Sequence, residues 1–82
     1  MTTLKNNEAK RLMAEAQEHM NTANLCLTEL NKSKAVLFHF GNDLSSMAIK
    51  DWTYKIESWT KKHAANLEEA ELKGKMAALF LN

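Results

Sequence analysis

From Ala9 onward, apolar residues return at Ala9, Met13, Ala16, Met20, Ala23, Leu27 and Leu30, in alternating steps of four and three without a miss. An α-helix repeats every ~3.6 residues, so this spacing draws one stripe along a helix and has no counterpart in an extended strand. What the chain lacks points the same way: no proline interrupts the 82 residues, and Val36, Ile49 and Ile56 are its only β-branched aliphatics. Ala, Glu, Lys, Leu and Arg supply 41 positions, a usage typical of long helices. The expected fold class is therefore all-α.

Leu12, His19 and Cys26 flank the stripe on one side and widen it toward the face a bundle helix needs. The next stripe position is Lys34, in "NKSK", where Asn31 and Ser33 are residues able to end one helix and start another. A short third helix near 33–41 is the structural alternative this leaves. The stronger punctuation is "FHFGND", where Gly41 suits a left-handed position after a helix and Asn42 or Asp43 suits a cap of the next.

Past this turn a second stripe runs through Ile49, Trp52, Ile56, Trp59, His63, Leu67, Ala70, Gly74, Ala77 and Leu81. The spacing thus predicts a long antiparallel hairpin in a single helical domain spanning 1–82, with a first helix over about 4–40, a turn at 41–45 and a second helix over about 46–80. A turn centred at 41–42 places Ala23 beside Trp59 and Leu30 beside Trp52. Asp51/Lys55, Glu57/Lys61, Glu69/Lys73 and Glu71/Lys75 are acid-before-base pairs four apart and mark the solvated side.

Two helices offer one internal seam, and the sequence carries more apolar surface than one seam can take. "KMAALFL" places Met76, Leu79, Phe80 and Leu81 around more than one face, and Val36, Leu37, Phe38 and Phe40 do the same near the turn. The surplus calls for company: completion as a four-helix bundle by dimerisation, or docking on a larger protein partner. The tryptophans, Trp52 and Trp59, are seven apart and read first as core knobs. An indole is rarely buried in full and favours interfaces, however, so the residues expected to anchor a partner are Trp52, Trp59, Phe80, Leu81, Phe38 and Phe40.

The net charge of +1 supplies no bulk field for nucleic acid or an anionic membrane. A competing reading uses a local patch, with Lys50, Lys55, Lys61 and Lys62 around the Trp52 and Trp59 rings as a nucleic-acid platform. Against it stand the interleaved Asp51 and Glu57 and a single arginine, Arg11. A purely structural oligomer subunit is a third reading.

No metal-ligand spacing appears, and neither a glycine-rich phosphate loop nor a base beside a nucleophile is present, so no metal, cofactor, small-molecule substrate or catalytic residue is expected. Cys26 lies between Leu25 and Leu27 as a plain apolar thiol. A lone cysteine points to a reducing, cytoplasmic setting, and no segment is apolar enough to enter a membrane. The expectation is a non-enzymatic interaction module acting as a regulator, inhibitor or adaptor through a helical face.

Overall fold

The computed structural model describes residues 2–81. Without proline to stop them, the helix-forming runs extend to the ends of the described chain: α1 spans Thr2–Phe40 and α2 spans Ser46–Leu81. The two helices pack on each other along their length as a hairpin with no strand among the described residues. The result is a rod of 63 × 14 × 13 Å. Its radius of gyration is 18.3 Å, against about 12 Å for a compact domain of this length.

α1 does not break at "NKSK", and the alternative third helix near 33–41 is not formed. Ser33 is buried, and its hydroxyl donates to the Glu29 carbonyl one turn back at 2.9 Å, so the residue is a satisfied helix interior rather than a cap. Only a single 3₁₀ turn, Gly41–Asp43, intervenes before α2. No described residue has a positive φ, so Gly41 does not adopt the expected left-handed conformation. The capping residue is also different. Ser45, rather than Asn42 or Asp43, accepts the Ala48 N–H on its Oγ at 3.1 Å, and its carbonyl accepts the Ile49 N–H at 3.0 Å.

The seam keeps half of the expected α1 stripe, Ala9, Ala16, Ala23 and Leu30, and replaces the Met13, Met20, Leu27 column by its neighbour. Its α1 side runs Ala9, Leu12, Ala16, His19, Ala23, Cys26, Leu30 and Ser33, all buried or half-buried, while Met13, Met20 and Leu27 are exposed. Its α2 side runs Trp52, Ile56, Trp59, His63, Asn66, Ala70, Lys73 and Ala77; Ile49, Leu67, Gly74 and Leu81, expected in the same stripe, lie outside it. Most deeply buried positions are small, and among the described residues Leu12 is the one large side chain that is fully buried. Alanine against alanine lets two backbones approach closely but takes little apolar area out of water, so the seam is narrow and thin in hydrophobic content.

One polar layer fixes the register. Asn66 Nδ2 donates to the Lys62 carbonyl at 2.9 Å, which turns its Oδ1 toward His19 Nδ1 at 3.0 Å and assigns the proton to that nitrogen. With His19 opposite Asn66, steps of three and four bring Cys26 level with Trp59, Ser33 level with Trp52 and Ala9 level with Ala77. The expected pairs, Ala23 with Trp59 and Leu30 with Trp52, are corrected by about three residues, because the whole Gly41–Ser45 connector lies between the helices and moves the pivot toward residue 43.

Candidate functional site

The two flanks of the seam differ in chemistry. On one, the α1 residues immediately after Leu12, His19 and Cys26 are apolar, namely Met13, Met20 and Leu27, and the column ends at Lys34, which follows Ser33. On α2 the matching column is Thr53, Thr60, Leu67, Gly74 and Leu81. The two columns meet in an open groove of about 340 Å³ near the free ends of the helices, lined by Met13, Gln17, Met20 and Leu81 together with the small residues Ala16, Gly74, Ala77 and Ala78. A Cβ built on Gly74 meets no atom within 4 Å, so the groove exists partly because this position has no side chain. Met13 is 55% exposed and Leu81 59%, the kind of apolar surface an isolated soluble domain rarely presents in a continuous strip.

The opposite flank is charged and largely satisfied by the chain itself. Arg11 donates from Nη2 to Glu8 at 2.7 Å and from Nη1 to Glu15 at 2.8 Å, and Lys73 crosses from α2 to the second Glu15 oxygen at 3.1 Å. The Arg11 hydrogen bond holds the Glu8 carboxyl below its ordinary range, and that of Lys73 does the same for Glu15. Glu8 in turn raises Arg11. Lys73 was expected to pair with Glu69 but instead ties the two helices together. Glu71–Lys75 closes along α2 as expected, at 3.1 Å.

Farther toward the turn, this flank holds a second groove, lined by Glu29, Ser33, Trp52, Tyr54, Lys55, Ser58, Trp59 and Lys62. Both indoles are half-buried, taking part in the seam while also lining this groove. The repeated Trp-x-x-Lys pattern then has a local use. Lys55 Nζ stands 4.1 Å from the centre of the Trp52 ring and Lys62 Nζ 4.7 Å from that of Trp59. Such contacts contribute about 0.5–1 kcal/mol each and cover ring faces on which a base would stack.

The six residues expected to anchor a partner fall in three places. Trp52 and Trp59 share the charged-flank groove, and Leu81 lines the apolar groove with Phe80 beside it in sequence. Phe38 and Phe40, 85% and 57% exposed, lie at the turn, edge-on to His39 with ring centroids 5.1 and 6.4 Å apart. The rod's length separates them from Phe80 and Leu81, so the six do not form one site.

Sequence reasoning missed the roles of Met13 and Met20 because they, like Gly74, were assigned to the seam, whereas Ala70, Gly74 and Ala78, four apart, already read as a small-residue ridge open to close helix contact. The available signal was a third apolar column beside the two a seam consumes, with no charged residue on α2 from Thr53 to Leu81 at seven-residue steps. Cys26 is a buried free thiol, and among the described residues no three of His, Cys, Asp or Glu gather as metal ligands. No described helix is long and apolar enough to cross a membrane. No family model matches the chain, and no curated protein or solved structure does so.

Proposed function

We propose that this chain is a non-enzymatic protein-interaction module that docks through the side of its rod, in the manner of a regulator, inhibitor or adaptor that covers a surface of its partner. The observation that carries this reading is the apolar flank: a strip of Met13, Met20, Leu27, Leu67 and Leu81 around an open groove, beside a seam too thin in hydrophobic content to account for it. Methionine is unbranched and polarizable and suits adaptable contact with a helical partner. Leu81 closes the strip at the free ends, while Phe80, Trp52, Trp59, Phe38 and Phe40 are proposed as secondary anchors elsewhere on the rod. A buried, lone thiol suits a reducing cytoplasmic setting.

The test is affinity capture from host extract with the intact protein, a Met20→Glu variant and a Trp59→Ala, Phe80→Ala variant. The expected result is a partner retained by the wild type and lost by Met20→Glu, with binding little changed between about 50 and 200 mM salt. Recovery of nucleic acid whose binding falls about a thousandfold or more over that range would instead support the lysine and tryptophan groove as the functional surface. Identical capture by all three proteins would overturn the docking flank.

A further inference from the structure

We infer that the apolar flank is occupied by a second copy of this chain, laid antiparallel across it to form a four-helix bundle. This rests on the docking reading above and names its first occupant. The chain exposes 6255 Å², whereas a compact monomer of 9.3 kDa exposes about 5,000 Å² by the scaling of surface with mass. The excess of about 1,250 Å² covers the ~800 Å² that each partner buries in an interface of standard size.

The charge pattern selects a copy of the same chain over an unlike partner. In a two-fold contact, residues near the axis meet their own counterparts, so a charge there faces itself and repels. The columns Met13, Met20, Leu27 and Thr53, Thr60, Leu67, Gly74, Leu81 carry no charge, the first meeting one only at Lys34 toward the turn, while the opposite flank carries Glu8, Glu15, Thr22 and Glu29 on α1 and Lys55, Lys62, Glu69 and Met76 on α2 at the corresponding positions, six of the eight charged. A surface built for an unlike partner has no such restriction.

Direction follows from the two halves of the rod. Residues 29–62, the turn half, hold six basic and four acidic side chains, and the rest of the chain holds five and six. Antiparallel packing sets the basic half against the acidic one. Full overlap of two such rods places the axis at the middle of α1, near residue 21. Leu27 of the second copy then stands level with Glu15 and Ala16, between Met13 and Met20 and over the groove. At about 1.5 Å per residue, the two Met20 positions lie only ~3 Å apart along the rod and the two Met13 positions ~24 Å apart.

Sedimentation equilibrium, circular dichroism and mild oxidation of single-cysteine additions test this together. The wild type is expected to sediment as a dimer. Met20→Glu should weaken association about a hundredfold or more while keeping its helical spectrum. Met20→Cys should form a covalent dimer and Met13→Cys should not, since a disulfide requires Cα atoms within about 7 Å; the wild type, with Cys26 buried, is the control. Equal cross-linking at both positions overturns the antiparallel arrangement. A wild type that stays monomeric at high concentration but binds the dye 1-anilinonaphthalene-8-sulfonate, with loss of dye binding in Met20→Glu, overturns the second copy as occupant and leaves the docking flank standing. A monomer that binds no dye overturns both.

Discussion

Leu12 and Met13 are neighbours that both fit a three-four apolar stripe beginning at Ala9, and only one of them is buried. The stripe through Met13 is the more apolar, because the column through Leu12 continues into His19, Cys26 and Ser33. Composition therefore favoured the wrong column. The structure tolerates the polar one because each member is satisfied: His19 by Asn66, Ser33 by its own helix, and no buried side-chain polar atom among the described residues lacks a partner. Truncating Leu12 to Ala should cost about 2–4 kcal/mol in urea unfolding, since it empties a large, fully buried site of a thin seam. Leu25→Ala, on the exposed side of the same helix, should change stability by less than about 0.5 kcal/mol. Equal losses at the two positions would contradict the seam described here.

Both helices, their direction and the location of the turn were legible because long helices announce themselves by period and by the absence of breakers. Their mutual register was not, since it depends on how many residues the connector consumes and on a cross-helix contact, His19 with Asn66, that no local pattern specifies. The Glu15–Lys73 bridge is equally non-local. It also couples the hairpin to pH. Glu15 is held below its ordinary value of 4.5 in the folded state, chiefly by the Lys73 hydrogen bond. Its contribution is complete above the unfolded value and is lost as the pH falls through the lower folded one. Denaturant midpoints measured from pH 7 down to pH ~3 should therefore decline below about 5, and Glu15→Gln should flatten part of that decline. A slope unchanged by Glu15→Gln would mean that the bridge is not formed in solution.

As a whole, the molecule is a slender rod whose best-packed residues are mostly alanines, and its stability is expected to be inseparable from its concentration. If association completes the core, tenfold dilution should lower the thermal midpoint by about 3–6 °C in scanning calorimetry, and a midpoint independent of concentration would show a hairpin stable alone. The surplus of apolar surface was legible in the sequence. Its gathering on one flank was not, because that requires the seam's phase to be known first. The placement of the indoles adds an experimental convenience. Both tryptophans emit from beneath a lysine ammonium group on the side facing away from the methionines. Their intrinsic emission is an optical gauge built into the chain, sensitive to the parting of its own two helices and blind to whatever settles against the far side.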